Sequence, residues 1–259
     1  MRTHFFYSFF LFFMMLATIG TAQEKTVYTI GDSTMADKQD PDNNPEHGWG
    51  QLLPELMTNE IRIENHAVNG RSSRSFIDEG KWQVVLDKLK AGDYVLIQFG
   101  HNDQKIKDAS RYTNPYTQYR YNLERFVTES RAKGATPILL TSIVRRRFNE
   151  SGTLEDTHGA YPLVVRMVAD AMEAPFVDLQ YLTERLETAY GAEKSKELHL
   201  HFEPNEIDYF IKGKHDDTHL SRKGAKLVAS LALQDIAKLD LGLNRYILPS
   251  VMQHKILNN

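Results

Sequence analysis

The sequence predicts an α/β fold, a three-layer α/β/α sandwich on a central five-stranded parallel sheet. Three observations lead there. Five short β-rich runs occur, several of them apolar at nearly every position, which is how strands covered on both faces read. Stripes with helical spacing lie between those runs. No internal repeat, low-complexity tract or Pro/Gly/Ser linker divides the chain, so one domain accounts for all of it. Strand and helix in alternation imply right-handed crossovers and an open doubly wound sheet, whose ligands bind outside the carboxyl ends of its strands.

The elements follow in order. Residues 1–22 read as a secretory signal: Arg2 gives a positive start, residues 5–19 are almost unbroken apolar, and Gly20-Thr21-Ala22 supplies the small residues of a cleavage site. The apolar run is shorter than the roughly 20 residues a membrane span needs. The expectation is export to the periplasm or beyond, with a single domain over residues 23–259 and no membrane attachment after cleavage.

β-rich runs are read at residues 27–30, 61–68, 94–99, 138–144 and 176–179. Trp82, Val85, Leu86 and Leu89 fall at helical spacing before Gly92, and Tyr119, Leu123, Phe126 and Val127 form a second stripe before Gly134. Further helices are expected over 163–172, 183–190 and 221–239. The tail over 243–259 has no clear periodicity.

Composition removes several functions. The net charge is −3 with acids and bases mixed along the chain, unlike a nucleic-acid-binding surface. With no cysteine, thiol catalysis, Fe–S clusters, Cys-type zinc sites and thiol lipidation are excluded.

Four segments carry chemistry. Gly31-Asp32-Ser33 ends the first strand, Asn69-Gly70-Arg71 follows the second, and His101-Asn102-Asp103 follows the third. Asp216-Asp217-Thr218-His219 precedes the last expected helix. A lone Gly-Asp-Ser is also an ordinary turn or helix cap. Together, though, the segments supply a hydroxyl, a histidine, a carboxylate and two oxyanion donors at the active edge of the sheet, the set that acyl transfer needs.

These segments resemble the four blocks of the SGNH (GDSL-type) hydrolases, and the likeness narrows further. GDSTMAD, GWGQ, NGRSSRSF, GDYVLIQFGHND, PILLTSIVRRR, the Gly159-Ala160-Tyr161-Pro162 turn and DDTHLSRKGA are similar to rhamnogalacturonan acetylesterases, over nearly the whole mature chain. The resemblance implies a flavodoxin-like SGNH-hydrolase fold and a serine esterase that removes O-acetyl groups from pectic rhamnogalacturonan without metal or organic cofactor. It implies Ser33 as nucleophile, His219 as base and Asp216 as its orienting acid. The oxyanion hole would be the N–H groups of Ser33 and Gly70 with the amide of Asn102.

Neighbouring residues have competing readings. Asp217 is the alternative orienting acid. Asp32 and Asp103 are expected to support turns, and His101 and His158 to line or support the site. His199, His201 and His215 could ligate a metal with Asp216, but read better as surface histidines in a polar loop. Arg145, Arg146 and Arg147, with Arg71 or Arg74, are candidate contacts for a sugar carboxylate, since guanidinium groups pair bidentately with carboxylates. Trp49 and Tyr161 are candidate stacking platforms, although buried aromatics read the same way. Two further functions stay open: an acetylesterase for xylan or another glycan, and a carbohydrate-binding protein of the same fold without turnover. Oligomeric state is not legible in the sequence.

Overall fold

The computed structural model describes residues 24–257; the expected signal segment, residues 1–22, lies outside them. The chain forms β1 (Thr26–Gly31), β2 (Glu46–His47), β3 (Arg62–Asn65), α1 (Ser73–Asp78) and α2 (Lys81–Lys88). These lead into β4 (Tyr94–Gln98), α3 (Arg120–Ala132), β5 (Thr136–Leu140), α4 (Ala160–Ala171) and β6 (Phe176–Val177). The last elements are α5 (Leu179–Lys194), β7 (His199–Phe202), β8 (Lys214–Ser221), α6 (Arg222–Ile236) and α7 (Pro249–Gln253).

Five strands form a parallel sheet in the order β3-β1-β4-β5-β6. Because β1 lies between β3 and β4, successive connections leave it in opposite directions, and this topological switch point is where such sheets bind ligands. All residues of β1 and β4 are buried. Their side chains alternate between two cores, as the two-residue period of a strand requires. Val27, Leu96 and Ile138 meet α6, whose Ala225, Val228, Ala229 and Ala232 form its buried stripe. Ile30, Val95, Ile97 and Leu139 meet α2, α3 and α4 through Trp82, Phe126 and Val168. The expected layers are therefore present.

Three expectations change. Residues 199–202, read as a polar loop, form β7, and β2, β8 and β7 make a second, antiparallel sheet. The Leu-His-Leu-His alternation over residues 198–201 fits a strand, with Leu198 and Leu200 buried, and His199 is buried as well because His219 O and Glu187 pair with its ring nitrogens. The segment around His219, read as a turn entering a helix, is part of β8. Its register on β7 jumps from His199↔Leu220 to Leu200↔Asp216, so Asp217, Thr218 and His219 are looped out of the ladder. The aperiodic tail docks through Leu243, Tyr246, Ile247 and Val251 onto the α6 core. Among the described residues, no helix is long and apolar enough to cross a membrane.

Candidate active site

The residue types singled out in the sequence converge on a cleft of about 590 Å³ at the carboxyl edge of β1 and β4, lined by Ser33, Gly70, His101, Asn102, Asp216 and His219. Ser33 sits on a turn closed by Met35 and Ala36 N–H groups donating to Asp32 O. Asp32 braces this turn by accepting from Thr34 N and Thr34 Oγ1 at 2.9 and 2.8 Å. Gly31 is needed here for space: a Cβ would come within 2.6 Å of Gln98 O. Its φ is not positive, so close approach of β4, and not an unusual backbone angle, excludes a side chain.

The register jump in β8 brings His219 to Ser33. Nε2 of His219 lies 3.0 Å from Ser33 Oγ, and its Nδ1 lies 2.9 Å from Asp216 Oδ2. Asp216 Oδ1 accepts from the N–H groups of Thr218 and His219 at 2.9 and 3.0 Å, and Lys214 Nζ is 3.3 Å from Oδ2. Burial opposes ionisation of Asp216, but the hydrogen bonds from His219 and Thr218 outweigh it and hold its carboxyl well below the usual range. Asp217, the alternative partner, faces away and pairs with Arg146 and His201 at 2.7 and 2.8 Å.

Gly70 has a φ of +75°, a left-handed conformation that a side chain disfavours. The N–H groups of Ser33 and Gly70 have no protein acceptor among the described residues. Asn102 donates one Nδ2 hydrogen to Arg71 O at 3.1 Å, which orients the amide and leaves its other hydrogen free. Asp103 beside it is fully buried and takes Ser73 N, Ser73 Oγ and Thr113 Oγ1. Burial lifts Asp103 to about 6 despite those donors. The cleft therefore brings a hydroxyl, an imidazole and a carboxylate into one hydrogen-bonded chain and is lined by residues that carry three unpaired polar hydrogens, a set that can activate a hydroxyl nucleophile and hold an oxyanion.

The proposed substrate contacts divide. Arg145 lines the cleft, anchored by Thr157 O and Oγ1, and forms no direct salt bridge among the described residues, although the Asp32 carboxylate acts on it from a distance. Arg71, Arg74 and Arg147 are paired with Glu79, Asp78 and Glu155, outside the cleft lining. Arg146 is buried against Asp217, Ser195 and Ala192 O, and so has no reach to substrate. Trp49 is fully buried and donates to Gln98 Oε1 at 2.7 Å; Tyr161 is buried and donates to Asp103 O and Thr113 O. Neither offers a stacking face.

His101 lines the cleft, with Nδ1 3.2 Å from Asp32 Oδ2 and its ring 4.7 Å from that of His158. Burial lowers the pKa of both histidines. His199 is a buried histidine, not a surface one: Nε2 is 2.8 Å from Glu187 Oε1 and Nδ1 is 3.1 Å from His219 O.

Sequence reasoning missed Lys38, Lys105, Lys214 and Glu46. Lys38 is buried, and its Nζ donates to Ser33 O, Asn69 Oδ1 and Glu46 Oε1, tying the first two segments together. A lysine in a polar stretch gives no sequence signal for that role. Lys105 would have been found only by its closeness to Asn102.

A flavodoxin-like sheet with a Ser–His–Asp chain at its switch point defines the acylhydrolase class. The chain belongs to the GDSL-like lipase/acylhydrolase family, whose model matches residues 29–227. It is 42% identical over 221 residues to the rhamnogalacturonan acetylesterase RhgT of Bacillus subtilis (strain 168), covering 85% of this chain and 93% of that one. A rhamnogalacturonan acetylesterase of Emericella nidulans is 30% identical over 248 residues, covering 88% and 91% of the two chains. Among solved structures, the YxiM protein of Bacillus subtilis matches with a TM-score of 0.69 at 26% identity, over 83% of this chain and 56% of that one. An acetylxylan esterase, Axe2, from Geobacillus stearothermophilus shares the fold with a TM-score of 0.56 at 20% identity, over 82% and 94%.

Proposed function

We propose that the protein is an exported serine esterase that removes O-acetyl groups from rhamnogalacturonan. The observation that carries the reading is the contact of His219 Nε2 with Ser33 Oγ at 3.0 Å, continued at 2.9 Å from Nδ1 to Asp216. Ser33 Oγ attacks the acetyl carbonyl while His219 takes its proton. Asp216 keeps the proton of Nδ1 in place and stabilises the imidazolium. The tetrahedral oxyanion is met by the N–H groups of Ser33 and Gly70 and the amide of Asn102. On collapse, His219 returns the proton to the sugar oxygen, which leaves as the free hydroxyl. A water then gives its proton to His219 and attacks the acetyl-serine; as the acyl–Oγ bond breaks, His219 returns that proton to Ser33 Oγ and acetate leaves.

The substrate part of the reading is supported by the two named relatives and by cleft charge. Glu46 is matched by Lys38 and Asp216 by Lys214, whereas Arg145 and Lys105 form no direct salt bridge among the described residues, Asp32 acting on both and Asp108 on Lys105 only from a greater distance. Two cations without a direct ion pair, lining the same cleft as Ser33, favour an ester whose sugar carries a carboxylate. Export and a role in pectin breakdown belong to the same proposal and rest on the character of residues 1–22 and on those relatives. The experiment is hydrolysis of an aryl acetate, followed by covalent labelling with a serine-directed organophosphonate and peptide mapping. A label on Ser33 with loss of activity supports the reading. An unlabelled, active enzyme overturns it.

A further inference from the structure

A polymeric substrate continues beyond the cleft that holds its ester, and the aromatic residues expected to receive it are buried. An exposed aromatic stands elsewhere. We propose that the groove between the β7–β8 connection and the segment before β2 is a second carbohydrate subsite, where Tyr209 stacks on a neutral pyranose of the same polymer. This rests on the reading of the substrate as an acetylated glycan.

The groove measures about 490 Å³ and is lined by Asn43, Pro45, Phe202, Ile207, Asp208 and Tyr209. Its lining neighbours that of the cleft at two points. Pro45 is joined to Glu46, and Phe202 is paired in register with Lys214; Glu46 and Lys214 both line the cleft. The proposed path takes a glycan whose acetylated residue sits at Ser33 along the β2-β8-β7 sheet, past Glu46 and Lys214, into the groove.

Tyr209 is 44% exposed and is braced from behind. Its ring meets Phe210 edge-on at 5.1 Å, and Phe210 lies 5.8 Å from Phe202. The loop that carries it is preformed: Asn205 N–H donates to Ile211 O at 2.9 Å and Gly213 N–H to Phe210 O at 2.7 Å. Binding thus needs little ordering of the chain.

Chemistry selects the occupant. A pyranose has an apolar C–H face and a rim of hydroxyls. Phe202, Ile207 and Tyr209 give an apolar floor, while Asn43 and Asp208 give a polar edge. An acyl chain would leave that edge unmatched. The carboxylate of Asp208 repels a uronate, so this subsite takes a neutral sugar while Arg145 and Lys105 face the acidic one.

The test uses full-length Ser33→Ala protein and calorimetric titration with deacetylated rhamnogalacturonan fragments, a disaccharide against a long oligosaccharide, with xylo-oligosaccharides in parallel. Affinity should rise with length in at least one series, by about fivefold to tenfold. Tyr209→Ala should erase that gain and Tyr209→Phe should retain it. In the Ser33→Ala protein itself, the long oligosaccharide should also shift the amide NMR signals of Asn43 and Tyr209. A length gain that survives Tyr209→Ala, or no length gain in either series, overturns the subsite. Acetate release by the wild-type enzyme is read separately: its absence alongside a Tyr209-dependent length gain would remove the esterase reading and leave the subsite standing.

Discussion

Replacing Asp216 by asparagine changes one proton and almost nothing else. The asparagine carbonyl keeps the acceptor position of Oδ1, which takes Thr218 N–H and His219 N–H at 2.9 and 3.0 Å. Its NH₂ is then fixed where Oδ2 stood, 2.9 Å from His219 Nδ1. A donor at that place forces Nδ1 to accept, so the imidazole proton moves to Nε2, 3.0 Å from Ser33 Oγ. An imidazole in that tautomer cannot take the serine proton. The expected loss is about 10⁴-fold in kcat, as for the same change in other triads, or about 5 kcal/mol of activation free energy. The assay is aryl acetate hydrolysis by Asp216→Asn and Asp217→Asn, with circular dichroism to show both folded. Asp217 is about half exposed and holds Arg146 and His201, so its variant should keep kcat within about threefold. An Asp216→Asn enzyme within about tenfold of wild type, or the large loss in Asp217→Asn, would refute the tautomer argument.

Three further outcomes are expected. Asn102→Ala should lower kcat by about 10²–10³-fold with little change in KM, since one oxyanion donor is lost while Ser33 and Gly70 keep theirs; an equal loss in KM alone would assign Asn102 to ground-state binding. Arg145→Gln with Lys105→Gln should raise KM for an acidic acetylated oligosaccharide more than for its carboxyl methyl ester, and should flatten the dependence of kcat/KM on salt; a parallel change on both esters would remove the carboxylate contact. Asp216 has a folded pKa below its ordinary 3.8, so it adds stability that is present above that pH and lost as pH falls below it. Denaturant melts should therefore show the gap between wild type and Asp216→Asn closing below about pH 4, and a gap that widens on acidification would contradict the sign.

The parallel sheet was legible because buried strands such as β1 and β4 are apolar at almost every position, and because Ser33, Gly70 and Asn102 follow strand ends. The antiparallel sheet was not. Its strands carry His199 and Asp217, polar residues whose partners belong to other elements: Glu187 on α5 and Arg146 after β5. A polar residue reads as exposed until its partner is known. The same limit misplaced Arg146 and His199, while His215 is exposed as expected, and it hid Lys38, whose burial depends on three acceptors from separate segments. Trp49 and Tyr161 failed differently: an aromatic beside a polar motif gives no sign of which face is covered, and here Gln98 and backbone carbonyls take their polar tips.

The most direct measurement is acetate release from acetylated rhamnogalacturonan by wild type and Ser33→Ala, with acetylated xylan as control. The account expects release from the pectic polymer in preference to xylan, abolished by Ser33→Ala. Release that persists in Ser33→Ala, or no release from any acetate ester by the wild type, would contradict it.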